Sequence, residues 1–286
     1  NNLTYNNKWG DHALTVTAVY EATKSESRNM NIGGNDLKAE SVGYWDVNNA
    51  AVRTAGNSYE AYALLSGVGR VIYNYADRYM LTGTFRADGS SRFTNKKWGY
   101  FPSAALGWTF SEEPFMKPLA SWLTMGKMRL SWGQTGNSDI GSNAFASYYA
   151  QPAYNRGDNT QLIGVFQGKL ENPNLKWETT TEWNFGLDFG FLNNRILASV
   201  EFYHRVISDL LNYKPLNYYH DISSVMANIG KTQSTGLEIT INTTNVKTRD
   251  FKWTTNLTFT TYKDRWKERT PDWKPAVYEK VDDPIR

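Results

Sequence analysis

The chain has 286 residues, which in a water-soluble protein would make one large domain or two ordinary ones. It has no cysteine and a formal net charge of only +3. The first excludes disulfide scaffolds, Cys-ligated metal sites and Cys nucleophiles, and the second gives no argument for nucleic acid as a partner.

Aromatic residues make up 15% of the chain, yet the mean hydropathy is −0.58. No apolar run reaches the ~18 residues of a membrane helix, so a transmembrane helix is excluded. A transmembrane β-barrel is not, because its strands bury only every second side chain. No basic segment followed by an apolar one opens the chain, so no signal peptide is read. The last residues, Asp282-Asp283-Pro284-Ile285-Arg286, are turn-like, and the sequence reads as a piece of something longer.

In chain order, the first alternating segment is Leu14, Val16, Ala18 and Tyr20. Leu65, Gly67, Gly69, Val71 and Tyr73 follow, then Tyr79, Leu81, Gly83 and Phe85. Ala104, Leu106, Trp108 and Phe110 come next, then Met128, Leu130 and Trp132. The strongest signal runs from Trp177 to Phe191, with Trp183, Phe185, Leu187 and Phe189 on one face and Glu178, Glu182 and Asp188 on the other. Strict alternation over that length is a strand, far longer than the ~5–6 residues usual in globular proteins. A tilted membrane strand needs ~9–11 residues, so length favours a membrane barrel over a sandwich. Ile196, Ala198, Val200 and Phe202 repeat the pattern after an Asn193-Asn194 turn, which makes a hairpin. Leu237, Ile239 and Ile241, then Trp253, Thr255, Leu257 and Phe259, complete about nine strands.

Each strand has a polar face, which carries Arg70, Arg86, Arg129, Glu178, Glu182, Asp188, Glu201, Arg205 and Glu238. Aromatic residues gather near strand ends, at Tyr73, Tyr75, Trp98 to Phe101, Trp108, Phe110, Trp177, Phe189, Phe191, Phe251 and Trp253. Two interfacial girdles need that placement, although aromatic β-propensity alone also produces it.

Long and short connections alternate. Residues 24–57, 138–176 and 208–230 are long; 76–77, 192–194 and 245–249 are short. Residues 88–96 form a medium link, and 112–125 a compact one with a helical turn expected over 116–123. Long loops at one end and short turns at the other are the layout of an up-and-down membrane barrel, with the long loops extracellular.

Several stretches then carry a resemblance. Arg86-Ala-Asp-Gly-Ser-Ser-Arg-Phe93, Trp98-Gly-Tyr-Phe-Pro-Ser103, Gly107-Trp108 and Ser111-Glu-Glu113 resemble the SusC/RagA family of TonB-dependent outer-membrane transporters. So do Leu130-Ser-Trp-Gly-Gln-Thr-Gly-Asn137, Glu171-Asn-Pro-Asn-Leu-Lys-Trp-Glu178, Gly186-Leu-Asp188, Ile207-Ser-Asp-Leu-Leu211, Asn228-Ile-Gly230 and Gly236-Leu-Glu238. The matches are collinear over roughly residues 59–242.

The resemblance implies an all-β, antiparallel, up-and-down transmembrane barrel of roughly 22 strands with an N-terminal plug, in the outer membrane of a Gram-negative, Bacteroidetes-like bacterium. It implies energy from the TonB–ExbB–ExbD complex. It also implies a SusD-like surface lipoprotein that captures oligosaccharides or, in some members, peptides. Residues 1–286 are expected to be part of that single barrel domain, with the plug and the terminal strands absent from the sequence. Two alternatives stay open here: a soluble β-rich carbohydrate-binding protein, and a passive porin-type barrel.

Site candidates are few. His12, His204 and His220 have no second ligand at metal spacing, so no metal is expected. Glu112-Glu113 reads as a charged periplasmic turn before Pro114 rather than a glycosidase pair. Gly67-Val-Gly-Arg70 lies inside a strand and is no phosphate loop. No catalytic residue and no cofactor are expected. The candidates for ligand or partner contact are loop aromatics: Tyr44, Trp45, Tyr148, Tyr149, Tyr154, Tyr218 and Tyr219. Such rings stack on sugars or pack against a partner, and packing within the loops is the alternative. Arg70, Glu182, Asp188 and Arg205 are expected to face the lumen or the plug.

Overall fold

Alternating apolar and polar residues put one character on each face of an extended chain, and neighbouring strands must then align like with like. The computed structural model describes residues 1–140, 147–155, 161–217, 219, 221–270, 274, 280 and 282–285. It holds β1 (Asn2–Trp9), β2 (His12–Leu37), β3 (Ala50–Tyr75), β4 (Tyr79–Ser90), β5 (Trp98–Trp108), β6 (Leu123–Asn137) and β7 (Ser147–Asn155). These are followed by β8 (Gln161–Lys169), β9 (Glu178–Phe191), β10 (Ile196–Ser208), β11 (Leu211–Pro215), β12 (Ser224–Asn228), β13 (Lys231–Lys247) and β14 (Lys252–Glu268).

Ten strands form one antiparallel sheet in the order β1-β2-β3-β4-β5-β6-β9-β10-β13-β14. Each strand lies beside its predecessor in the wall, as in a meander. The pairs β7–β8 and β11–β12 are separate hairpins inserted after β6 and β10.

The registers align the faces across the wall. Leu81 opposes Leu106, Leu106 opposes Leu130, Leu130 opposes Phe185, Phe185 opposes Phe202 and Phe202 opposes Leu237. Three register positions along, and so on the other face, Lys127 opposes Asp188, Asp188 opposes Ser199, and Ser199 opposes Thr240. A soluble protein would cover the apolar row. Here Leu106 is 54% exposed, and Phe202, Leu257 and Phe259 are also exposed. Large apolar residues outward and ion pairs inward are the inverted arrangement of a barrel wall in lipid.

Tight turns close one end. Ala76 and Asp77 (φ 53° and 54°) join β3 to β4, and Leu192, Asn193 and Asn194 (φ 53°, 56° and 60°) follow β9. Left-handed values suit the right-handed twist of paired strands. The opposite end carries residues 38–49, 91–97, the β7–β8 excursion and the β11–β12 excursion. The alternation of long and short connections is therefore present except around β5, where residues 109–122 at the short-turn end outrun 91–97 at the other.

Several expectations are corrected. Among the described residues the wall has ten strands, the nine expected and β1, and two hairpins that were expected as loop add four. β1 carries Leu3, Tyr5 and Trp9 on one face with Asn7 interrupting the apolar row, and the hairpin strands alternate weakly. Residues 24–57 are mostly not loop. β2 and β3 are 26 residues each, and residues 24–37 pair with 50–63. β4 pairs with β3 only from Leu64 to Tyr75, so this ribbon stands about 45 Å beyond β4. Its Ser, Asn and Gly content hid it, because nothing on either face is uniformly apolar. The compact link has 3-10 turns at Phe110–Glu112 and Pro114–Leu119, and Leu123 already begins β6.

Phe101 and Trp177 are not girdle residues. Both are buried, with Phe93, Ile140, Leu175 and Met226, in a small apolar core at the long-loop end. Other rings do sit at strand ends by the short turns. Trp9 stacks on His12 at 5.7 Å, and Trp122 stacks on Phe191 at 5.6 Å.

Candidate functional site

The polar face is an ion-paired surface built from facing strands. Arg129 on β6 donates to Asp188 on β9 (2.7 and 3.0 Å) and to Glu201 on β10 (2.6 Å). The Ser199 hydroxyl also donates to Asp188, at 2.8 Å. Gly186, directly opposite Arg129, leaves room for the guanidinium, because a Cβ there would lie 2.9 Å from its Nη2. Two same-face rows nearer the long loops, Arg205 donates to Glu182 at 2.6 Å. Arg86 donates through Nε to both oxygens of Asp88 (2.8 and 2.7 Å) and through Nη2 to Ser66.

Of the four expected lumen residues, Glu182, Asp188 and Arg205 are thus held in pairs on this face. Arg70 lies on the same face and donates only to the Thr84 hydroxyl, at 3.2 Å.

At the long-loop end the wall is fastened to the loops. The Trp177 indole N–H donates to the Lys97 carbonyl at 2.9 Å, and its ring meets Phe93 and Phe101 at 5.6 and 5.5 Å. Phe101 packs over Gly136, where any Cβ would collide with the ring. Asn228 accepts from the Lys176 amide (2.9 Å) and donates to the carbonyls of Lys176 and Asp209. Asn172 donates to the Met226 carbonyl, and Lys176 pairs with Asp209 at 2.7 Å. Arg92 pairs with Asp139 (3.1 Å) and Glu60 (3.6 Å) and lies over the Tyr62 ring. Residues 171–178 and 228–230 therefore act as a clasp between the two inserted hairpins.

The loop aromatics are spread out. Tyr44 and Trp45 end the 3-10 segment Glu40–Trp45 at the ribbon tip, where Trp45 is exposed. Tyr148, Tyr149 and Tyr154 lie on β7, opposite Gln167, Phe166 and Leu162. Tyr219 is a strongly exposed turn residue, while Tyr218 lies outside the described residues. A cavity of about 550 Å³ opens on the polar face below the clasp, and of the described loop rings neither Trp45 nor Tyr219 lines it. Its walls include Arg70, Arg86, Arg92, Gln134 and Asp139.

Among the described residues no group of three or more His, Cys, Asp or Glu side chains could hold a metal. His12 bonds Tyr73 at 2.6 Å, His204 bonds Thr235 at 2.9 Å, and His220 lies outside the described residues.

Glu113 lies between the two 3-10 turns, directly before Pro114. It is buried, accepting from the Tyr79 hydroxyl (2.5 Å), the Arg78 guanidinium (3.1 Å) and the Trp108 indole (3.2 Å). The Tyr79 and Trp108 donors, with Arg78 beside it, hold its carboxyl below the ordinary value. Sequence alone offered no signal for this clamp, whose members meet only when β4, β5 and the following turn come together.

The β-barrel model of the TonB-dependent receptor-like family matches residues 1–283. The chain is 36% identical over 271 residues to TonB-dependent receptor P3 of Formosa agariphila, covering 93% of this chain and 26% of that protein. It is 43% identical over 200 residues to TonB-dependent receptor SusC of Bacteroides thetaiotaomicron, covering 66% of this chain and 19% of that protein. The structure of the RagAB peptide transporter superposes with a TM-score of 0.80 at 23% identity, covering 95% of this chain and 30% of that one, a likeness of fold. The chain thus spans about a quarter or less of the length of these curated relatives. With its inverted ten-stranded wall, it belongs to the TonB-dependent receptor-like β-barrel family and is of the SusC/RagA type.

Proposed function

We propose that this chain is part of the wall of a TonB-dependent importer in the outer membrane of a Gram-negative, Bacteroidetes-like cell. The whole protein takes up oligosaccharides or peptides with a SusD-like surface lipoprotein, and the TonB–ExbB–ExbD complex supplies the energy. Residues 1–286 are one part of a single barrel domain. The plug and the remaining strands come from the rest of the polypeptide, and those strands pair with the outer edges of β1 and β14, because lipid tolerates no open sheet edge.

The register carrying an apolar row across six strands opposite an ion-paired row supports this reading best. In the mechanism the ligand is captured between lipoprotein and loops. The plug is then displaced by TonB, and the ligand passes a wall whose charges are already paired. Paired charges hold a passing solute weakly, which a conduit needs. No step makes or breaks a covalent bond.

The test is uptake of labelled oligosaccharide and peptide pools by native cells, by cells lacking this reading frame and by cells lacking TonB. Uptake lost in both deletions is the expected result. Uptake lost without the reading frame but intact without TonB refutes the importer and points to a passive pore.

A further inference from the structure

Every arginine on the polar wall except one has a carboxylate. Arg86 has Asp88, Arg92 has Asp139 and Glu60, Arg129 has Asp188 and Glu201, and Arg205 has Glu182. Among the described residues, Arg70 has none; its Nε is spent on the Thr84 hydroxyl. A guanidinium carries five donors in a planar fork, so both terminal nitrogens of Arg70 remain available for a bidentate acceptor.

The surroundings form a built pocket. Arg70 lines the cavity of about 550 Å³ below the clasp, within the size range of small-ligand sites. Arg70 opposes Thr84 and Val68 opposes Arg86, so the two guanidinium groups are diagonal neighbours on one face. Arg86 is neutralised by Asp88, which leaves the charge of Arg70 uncompensated. Three arginines and two aspartates line the cavity, and Glu60 beside Arg92 and Glu21 near Arg86 add carboxylates at those two arginines, so the open cationic fork is confined to Arg70. Its two rings, Phe101 and Trp177, are buried in the rim core and offer no open face for stacking on a sugar. Recognition in this cavity is therefore left to charge and hydrogen bonds.

We propose that Arg70 binds a carboxylate of the imported ligand in this luminal cavity, so that the transporter selects acidic cargo. The proposal rests on the importer reading and deepens it by naming the chemistry of the cargo. A carboxylate can come from a uronic acid or from an acidic peptide, and the two arms of the test separate them.

The full-length transporter in detergent is titrated calorimetrically with oligogalacturonate and its methyl ester, and with a glutamate-containing peptide and its glutamine counterpart. One acidic probe is expected to bind at least about tenfold tighter than its neutral counterpart. R70Q is expected to remove that preference and R70K to keep part of it, because an ammonium keeps the charge but loses the fork. The proposal falls if the preference survives R70Q, or if neither acidic probe is preferred. It also falls if R70Q lowers the thermal stability of the transporter and leaves the preference unchanged, because Arg70 then holds the plug. Binding in detergent needs no TonB. An acid preference in a protein whose uptake is TonB-independent would therefore sink the importer reading and leave this site standing.

Discussion

Trp177→Ala should loosen the long loops and leave the barrel wall intact. Trp177 is 7% exposed and joins Phe93, Phe101 and Leu175 in the rim core. Removing a buried Trp side chain costs about 3–5 kcal/mol, and its bond to the Lys97 carbonyl accounts for about 1 kcal/mol of that. A loss of about 4 kcal/mol raises the fraction of open loop on the order of a thousandfold. The cost is local, because no hydrogen bond of the β3–β10 wall runs through this side chain. Limited proteolysis of the full-length protein in detergent should therefore show much faster cleavage within residues 138–176. The temperature at which the barrel loses its gel-shifted folded form should barely move. Trp177→Phe keeps the ring contacts and loses the N–H, so it should cost only about 1 kcal/mol. Wild-type cleavage rates in Trp177→Ala, or a melted barrel with protected loops, would refute this assignment.

Arg129→Met leaves Asp188 and Glu201 without their shared cation and should destabilise the wall by roughly 1–2 kcal/mol, discounted for the solvated lumen. Adding Asp188→Asn and Glu201→Gln should restore most of that in urea unfolding, and simple additivity would show the pairs uncoupled. The lowered Glu113 carboxyl predicts stability that is fully present above the ordinary glutamate range of about pH 4 and lost as pH falls through the lower folded value. Glu113→Gln should flatten that acid limb of the melting temperature, and an unchanged limb would assign it to other carboxylates. Leu130→Lys puts a charge in the middle of the apolar row and should cost about 2–4 kcal/mol of folding stability in bilayers. If it is no more costly than Leu130→Ala, that face does not meet lipid.

The period-2 pattern of residues 177–191 and 196–205 dictated strand, face and hairpin, because one apolar face per strand excludes every odd register shift and the tight turn fixes the rest. Together with the alternation of residues 65–73, it also placed Arg70, Glu182, Asp188 and Arg205 on the polar face. Their partners were not legible. Arg129 meets Asp188 across 59 residues and Glu201 across 72, a choice made by strand order. The clasp around Asn228 and the Glu113 clamp were hidden for the same reason, as hydrogen bonds between distant backbone segments leave no local period.

The opening paradox, an aromatic chain with a polar average, was settled by alternation in the sequence itself. What only the tertiary structure decided was where rings and charges end up. Trp177 and Phe101 share the composition of the girdle residues, yet they close a small core, because the loops fold back over that end of the wall. Arg70 shares the pattern of its paired neighbours, yet it alone lacks a carboxylate among the described residues, because the strands beside it bring only Thr17 and Thr84 opposite.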